Sequence, residues 1–139
     1  MRQPATHHWS THKEAKPHEM TGTELQDATA HLAQFCGWRV AHFRPAKTDK
    51  GWRTACQYDA KGFPDLVMVR DRLVFVEIKR KVESLSTEQK LWRVLLLAIC
   101  ALAPDIVQYF VWRPSDWHDG TIERILRARS RVTERGSRR

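Results

Sequence analysis

Two carboxylates and a lysine stand at the ends of two neighbouring apolar segments of this chain. Asp65 comes directly before the first segment, and Glu77 and Lys79 follow the second. A buried charge is costly unless a partner neutralises it. Carboxylate oxygens suit hard divalent cations, and a nearby lysine can orient a water or offset negative charge in a transition state. The pattern predicts a Mg²⁺ or Mn²⁺ site held by Asp65 and Glu77, with the Ile78 carbonyl as a further ligand and Lys79 as a catalytic cation.

The two apolar segments predict a β-hairpin that brings these charges together. They cover residues 66–69 and 73–76 and are rich in β-branched side chains. A three-residue loop between them places Asp65 opposite Glu77, on the face that Lys79 shares because side chains alternate along a strand. A two-residue loop would turn Asp65 to the other face. The metal hypothesis therefore requires an odd-numbered loop or a bulge, and its alternative is a solvated Glu77–Lys79 ion pair on an edge strand.

Three motifs resemble those of the PD-(D/E)xK nuclease superfamily. They are residues 62–67 (GFPDLV), 76–79 (VEIK) and 86–92 (STEQKLW). Within the superfamily the similarity is closest to the VRR-NUC (virus-type replication–repair nuclease) group, especially its compact stand-alone viral members. It covers about residues 21–126. The resemblance implies metal-dependent hydrolysis of DNA phosphodiesters by a virus-encoded homodimer that cuts branched DNA, including four-way junctions.

The resemblance adds two residues to the predicted catalytic set. Many relatives carry a glutamate on the helix before the first strand and a glutamine after the ExK strand, which correspond here to Glu24 and Gln89. Each also follows a hydroxyl residue by three positions, Thr21 and Ser86 respectively, which is the spacing of a capping box. A role in the site and a role in capping are both open for these two side chains.

Periodicity along the chain predicts the element order α-β-β-β-α-β-α. The first helix ends at Gly37 and carries one apolar stripe, which consists of Leu25, Ala28, Leu32 and Phe35. A strand covers residues 38–44, and the hairpin follows. The helix that begins after Ser86 and runs to about residue 102 is apolar on most sides, which predicts that it is largely buried.

The last part of the chain completes an α/β fold. A strand over residues 106–112 should pair in parallel with an earlier strand because a helix connects them. A last helix, over about residues 119–129, carries Ile122, Ile125 and Leu126 on one face. These elements predict a restriction-endonuclease-like core, with a short mixed β-sheet flanked by helices.

The net charge favours a polyanionic partner. The chain of 139 residues has a formal charge of +8 at pH 7, and a field of that sign attracts nucleic acid. Residues 45–62 read as a long polar loop in which basic and aromatic residues alternate, as in many DNA-contacting segments. The predicted DNA-binding residues are His42, Arg44, Lys47, Lys50, Arg53, Arg80 and Lys81.

Composition places limits on other functions. We divide the chain into a flexible His-rich tail (residues 1–20), a nuclease domain (21–128) and a basic C-terminal tail (129–139). The three cysteines form no CxxC motif, no signal peptide or membrane-spanning run is visible, and nothing suggests a small-molecule cofactor. We expect an intracellular, cytoplasmic protein that does not bind membranes.

Three alternatives to a structure-selective nuclease are open. The first is a DNA-binding protein that keeps the nuclease fold without catalysis. The second is another nuclease type, either a sequence-specific restriction enzyme or a hydrolase that acts on RNA. The third is a zinc-binding module that uses the N-terminal histidines, which has no cysteine support.

Overall fold

The computed structural model describes residues 18–43, 46–53 and 57–131, with the main chain alone for residues 46–48 and 52–53. The remaining residues include most of both predicted tails. The described helices are α1 (Gly22–Phe35), α2 (Thr87–Leu102), α3 (Pro114–His118) and α4 (Thr121–Arg127). The strands are β1 (Arg39–His42), β2 (Ala46–Thr48), β3 (Gly51–Arg53), β4 (Leu66–Val69), β5 (Leu73–Ile78) and β6 (Val107–Trp112).

A four-stranded mixed sheet in the order β1-β4-β5-β6 forms the centre of the fold. Strands β1, β4 and β5 pair antiparallel, and β6 pairs in parallel with β5. The parallel pair follows from α2, since a helix between two strands returns the chain to the same end of the sheet. With β2, β3 and the short α3 set apart, the elements follow the predicted order, so the α/β fold with a short mixed sheet and flanking helices is confirmed.

The hairpin register is the one that the metal hypothesis requires. Val67 pairs with Phe75 and Val69 with Leu73, which leaves residues 70–72 as the loop. This loop is held by tertiary contacts, because the guanidinium groups of its two arginines lie 4.5 and 4.7 Å from the Trp38 ring centroid. Both arginines also donate to main-chain carbonyls at the end of α4. The loop that sets the register is therefore anchored to Trp38 and to the C-terminal end of α4.

Helix α1 begins at the predicted capping box, with Thr21 as the N-cap and Glu24 at the third position. Leu25, Thr29 and Ala33 are its buried residues. The predicted stripe is wrong at its end, because Phe35 is 79% exposed. The helix packs along its i, i+4 row, and Phe35 lies off that row.

Helix α2 is the largest departure from the prediction. None of its residues is buried, although the sequence indicated a largely buried helix. Its inner side, which carries Gln89, Trp92, Leu96 and Cys100, is half-buried. Its outer side is exposed, and no element within residues 18–43, 46–53 and 57–131 covers it. The helix lies alone on its face of the sheet, so only one side of it can be shielded.

The segment predicted as a long loop contains a small antiparallel sheet. Strands β2 and β3 pair with Thr48 opposite Gly51, so the turn has two residues. Gly51 has a positive φ of 96°, which a glycine adopts without strain. Each strand is only three residues long, too short to show alternation in the sequence. The predicted last helix corresponds to α4, and the short α3 before it was not predicted. The apolar face of the predicted helix is confirmed by Ile122 and Leu126, which are fully buried.

The hydrophobic core lies between α1, α4 and one face of the sheet. The fully buried side chains Leu66, Met68, Val74 and Val76 contribute that face. No helix in the part of the chain that the structure describes is long and apolar enough to cross a membrane.

Candidate active site

Asp65 and Glu77 lie side by side where β4 begins and β5 ends. Leu66 pairs with Val76, so the next pair outward along the hairpin is Asp65 and Glu77. The Asp65 carboxylate accepts a 2.7 Å hydrogen bond from the Ile78 main-chain N–H through Oδ2. The two carboxyl groups are close enough to affect each other's pKa. The sequence therefore predicted this pairing correctly.

Burial makes this carboxyl pair costly when both groups are charged. The Glu77 side chain is only 2% exposed. Burial, followed by repulsion from Asp65, raises the pKa of Glu77 to about 8. Burial also raises the pKa of Asp65, although the Ile78 N–H opposes that change. A divalent cation bound between the two carboxyl groups would offset this cost, because it stabilises the charged form of both.

Lys79 supplies part of the missing positive charge. Its side chain is 7% exposed, and its Nζ lies 3.6 Å from Glu77 Oε1. Glu77 and Lys79 therefore share a face, as predicted, and the pair is buried rather than solvated. A single ammonium group neutralises only one of two ionised carboxylates, so the site can accept a further cation.

Gln89 both caps α2 and contacts the site. Its Oε1 accepts a 2.8 Å hydrogen bond from the Ser86 N–H, while Ser86 Oγ accepts from the Gln89 N–H, which completes the predicted capping box. Its Nε2 donates to Glu77 Oε1 at 2.5 Å. One side chain therefore holds the start of α2 and orients a carboxylate of the pair.

Glu24 is a capping residue in this structure. Its carboxylate accepts a 2.7 Å hydrogen bond from the Thr21 N–H and lies 3.0 Å from the His18 ring. The Thr21 main-chain bond and the His18 contact lower the pKa of Glu24 to about 2. Neither contact involves Asp65 or Glu77. A catalytic role for Glu24 stays a prediction.

A cleft of about 420 Å³ opens beside Asp65. It is bounded by the start of α1, the end of β5 and the turn that follows, and its lining residues are Thr21, Gly22, Thr23, Gln26, Asp65, Ile78, Arg80 and Glu83. Glu77 and Lys79 are buried next to it. A ligand would therefore reach the carboxyl pair from the Asp65 side.

Among the cleft residues that sequence reasoning did not select, Gln26 and Glu83 make side-chain contacts with predicted site residues. Gln26 Nε2 lies 3.2 Å from His42 Nδ1, and His42 is close enough to Asp65 to oppose in small part the rise in the Asp65 pKa that burial causes. The predicted residue His42 is thus at the site, held by a partner from α1. Gln26 has no signal in the sequence beyond its polar type, whereas Glu83 lies four residues after Lys79.

The predicted DNA-binding residues fall into three groups. Arg80 lines the cleft with a side chain that is 74% exposed, and Lys81 is exposed on the same turn. Lys50 is exposed in the turn between β2 and β3. Arg44 and the side chains of Lys47 and Arg53 lie outside the described residues. The structure therefore places Arg80 at the cleft and Lys81 next to it in the chain.

The donor set fits a hard cation better than zinc. Across residues 18–43, 46–53 and 57–131, no group of three or more His, Cys, Asp or Glu side chains could hold a metal ion. Structural zinc usually requires four such ligands. Mg²⁺ commonly uses one or two carboxylates, with waters and substrate phosphate oxygens in the other positions. The pair Asp65 and Glu77 matches this coordination of Mg²⁺.

The segment before Asp65 is fixed against the start of α2. The Phe63 ring makes edge-on contacts with Phe75 and Trp92, with centroids 6.0 and 5.0 Å apart. Trp92 Nε1 donates to the main-chain oxygens of Asp59 and Lys61, both at 3.1 Å. These contacts position the Pro-Asp motif relative to Gln89.

Comparison with known proteins adds no assignment to this geometry. No family model matches the chain, and no curated protein or solved structure matches it.

Proposed function

We propose that this protein is a metal-dependent DNA endonuclease of the PD-(D/E)xK type, similar to the compact VRR-NUC proteins. The observation that carries the proposal is the Asp65–Glu77 pair, in which Glu77 is buried, Asp65 is half-buried and both pKa values are raised, with Lys79 beside it. Perturbed titratable groups beside a cleft are a common feature of catalytic sites. The resemblance of the three motifs supports the same assignment.

Each side chain of the site has a role in phosphodiester hydrolysis. Asp65 and Glu77, with the Ile78 carbonyl, would hold one or two Mg²⁺ or Mn²⁺ ions. Such an ion, when bound, polarises a phosphate oxygen and acidifies a water. Lys79 orients the attacking water and offsets charge on the scissile phosphate. Gln89 holds the Glu77 carboxylate through its 2.5 Å hydrogen bond, and the Ile78 N–H holds Asp65.

DNA is the substrate that the surroundings of the cleft favour. Arg80 presents positive charge at the cleft, Lys81 is exposed next to it in the chain, and the whole chain carries a formal charge of +8. Phosphate contacts by such side chains give affinity without sequence preference. This suits a nuclease that selects its substrate by shape, and branched DNA is the substrate class we propose.

We further propose that two copies associate through α2, because its outer side is an uncovered apolar stripe. The stripe consists of Leu91, Val94, Leu95, Ala98, Ile99 and Leu102, and Leu91, Leu95 and Leu102 are 62%, 56% and 83% exposed. Leu91, Leu95, Ala98 and Leu102 follow the alternating four- and three-residue spacing of helix pairs. Monomers rarely expose large continuous apolar surfaces.

A second copy is the partner that this stripe fits. A two-fold interface brings the same stripe from each protomer into contact, and an antiparallel arrangement places the charged N-terminal turn of one α2 beside the uncharged C-terminal turn of the other. Because Gln89 and the site lie at the N-terminal end of α2, the two sites would lie at opposite ends of the helix pair.

Leu95→Asp is expected to convert a dimer into a monomer. A buried, unpaired carboxylate at the centre of an apolar interface costs several kcal/mol, on the order of a thousandfold weakening. Light scattering after size exclusion would give twice the 16.3 kDa chain mass for the wild type and the single mass for the variant. Leu97→Asp makes the same change on another side of α2 and should remain dimeric. A monomeric wild type at micromolar concentration would reject the interface.

The function is tested by comparing how wild-type protein and the Lys79→Ala variant cleave a panel of DNA substrates. Wild-type protein with Mg²⁺ or Mn²⁺ is expected to cut four-way junction DNA faster than linear duplex, flap or single-stranded DNA. Lys79→Ala should lower the rate by about 100-fold or more, as the loss of a charge-stabilising donor commonly does, and Lys90→Ala, an exposed lysine on α2, should not. No cleavage by the wild type, with DNA binding retained, would favour a binding protein without catalysis.

A further inference from the structure

Among the residues that the structure describes, Glu83 is the carboxylate nearest to the predicted catalytic lysine. Lys79 Nζ lies 3.2 Å from Glu83 Oε1 but 3.6 Å from Glu77 Oε1. The Lys79 ammonium therefore has a carboxylate on either side. One belongs to the predicted cation site, and the other belongs to the turn that follows β5.

The turn that carries Glu83 is built to hold its position. The Glu83 N–H donates to the Arg80 carbonyl at 3.2 Å, which closes the turn. Arg113, at the end of β6, donates from Nη1 to the carbonyls of Arg80 and Glu83 at 2.5 and 2.8 Å. The Arg113 N–H is in turn bonded to Asp116 Oδ2 at 2.8 Å. The turn is thus attached to the strand next to β5, at the same end of the sheet as Lys79.

The Glu83 side chain is also held from within the turn. Its Oε2 lies 3.4 Å from both the main-chain N and the side-chain Nε of Arg80. Its other oxygen remains directed at Lys79, and the residue lines the cleft together with Asp65. A side chain whose Oε2 is held by the turn can set the position of the ammonium group that its Oε1 contacts.

We propose that Glu83 is the positioning residue for Lys79, which it draws away from Glu77 and toward the cleft. An ammonium that bridged Asp65 and Glu77 would compete with a divalent cation for their oxygens. The Glu83 contact holds Nζ on the cleft side, where it can reach a water or a phosphate oxygen. Glu83 touches neither substrate nor cation in this role. The inference rests on the proposed nuclease function.

Removal of Glu83 should slow catalysis only because it misplaces Lys79. Glu83→Ala is expected to lower the single-turnover cleavage rate about tenfold or more, since small misplacements of a catalytic group have effects of this size. The Kd for junction DNA and the Mg²⁺ concentration for half-maximal rate should stay within twofold. Glu83→Gln keeps an acceptor oxygen and should retain a rate between those of the wild type and Glu83→Ala.

Combination with Lys79→Ala separates this role from others. If Glu83 acts through Lys79, Glu83→Ala should have no further effect on the residual cleavage of the Lys79→Ala protein. Glu123→Ala is the matched control, because Glu123 forms an exposed i,i+4 ion pair with Arg127 on α4, and it should cleave at the wild-type rate. The thermal midpoints of all variants should be measured beside the rates, to show that each is folded.

Three results would overturn the proposal. They are an unchanged rate in Glu83→Ala, an equal loss with and without Lys79, and a raised Mg²⁺ requirement, which would make Glu83 a cation ligand instead. Each of these can be seen only if the wild type cleaves DNA, so each leaves the nuclease function standing. A wild type that cleaves nothing would overturn the function and the inference together.

Discussion

Glu77→Gln is expected to lower the rate of metal-dependent cleavage by about 100-fold or more while it stabilises the metal-free protein at alkaline pH. Even indirect partners of a metal ligand affect activity 10- to 100-fold, so loss of a ligand itself should cost at least as much. The gain in stability arises because glutamine keeps the neutral form of a side chain that is only 2% exposed. The two effects have opposite signs, which a general disruption of the fold cannot produce.

The pH dependence of the stabilising effect follows from the direction of the pKa shift. The pKa of Glu77 is raised from 4.5 to about 8 in the folded protein. Between these values the folded chain keeps a proton that the unfolded chain has released. The contribution of Glu77 to stability is therefore complete below pH 4.5 and is lost as the pH rises through about 8. Wild type and Glu77→Gln should differ little at pH 4.5 and most above pH 8.

Urea unfolding of both proteins at several pH values would measure this difference. Above pH 8 the free energy of unfolding of the variant should exceed that of the wild type by on the order of 2 kcal/mol, which is the cost of a buried, poorly satisfied polar group. Mg²⁺ should stabilise the wild type, by about 2.7 kcal/mol at a hundred times its Kd, and more at pH 8 than at pH 6, because binding displaces the Glu77 proton. Glu123→Gln, on the exposed surface of α4, should change neither quantity. Equal stabilisation of wild type and Glu77→Gln by Mg²⁺ would reject the cation site.

Gly62→Ala is expected to be the most destabilising single-methyl change in the described part of the chain, at about 3–5 kcal/mol. A Cβ at this position would lie 2.6 Å from the Glu88 main-chain carbon and 2.7 Å from the Gln89 nitrogen. Gly62 also has a φ of +80°, which costs an alanine about 1–2 kcal/mol. The backbone before the Pro-Asp motif and the start of α2 would have to separate.

Gly120→Ala isolates the steric part of this effect. Gly120 has the same φ of +80°, but a Cβ there would meet nothing within 4 Å. Its alanine variant should therefore lose only the conformational part, about 1–2 kcal/mol. Guanidinium unfolding at pH 7 gives both values, and the excess loss in Gly62→Ala measures the close approach of the two segments. Equal losses in the two variants would show that the segments can separate without cost.

Gly62→Ala should also impair cleavage in protein that remains folded. Separation of the two segments would draw Gln89 away from Glu77, because Gln89 belongs to the turn of α2 that the new methyl group would meet. We expect a larger loss of rate than in Gly120→Ala at a temperature where both are native. Activity at the wild-type level in folded Gly62→Ala would separate the position of α2 from the chemistry of the site.

Much of the site could be predicted because its geometry is local. The distance along the chain between Asp65 and Glu77, together with the alternation of side chains in strands, permits only an odd loop if both are to share a face. The capping boxes at Thr21 and Ser86 likewise involve residues three positions apart. Contacts of this range depend on backbone geometry that the residue types themselves favour, so they hold in the folded protein.

Residues that arrive from separate elements could not be predicted in the same way. The residue type of Gln26 does not reveal that it meets His42, because α1 and β1 could pack in several rotations. Phe35 is exposed for the same reason, since its place on or off the packed row depends on where α1 crosses the sheet. Glu83 approaches Lys79 because Arg113 holds the turn between them from another strand.

Short-range spacing and alternation were enough to predict the α/β order and, once Asp65 and Glu77 are required to share a face, the hairpin register. The exposed apolar side of α2 and the places of Glu83 and Gln26 beside the cleft depend on how the elements pack. The apolar composition of a helix indicates that it must be covered, but it does not indicate which element or partner covers it. The cover of a surface depends on how many elements share that face of the sheet, which is a property of the assembled fold.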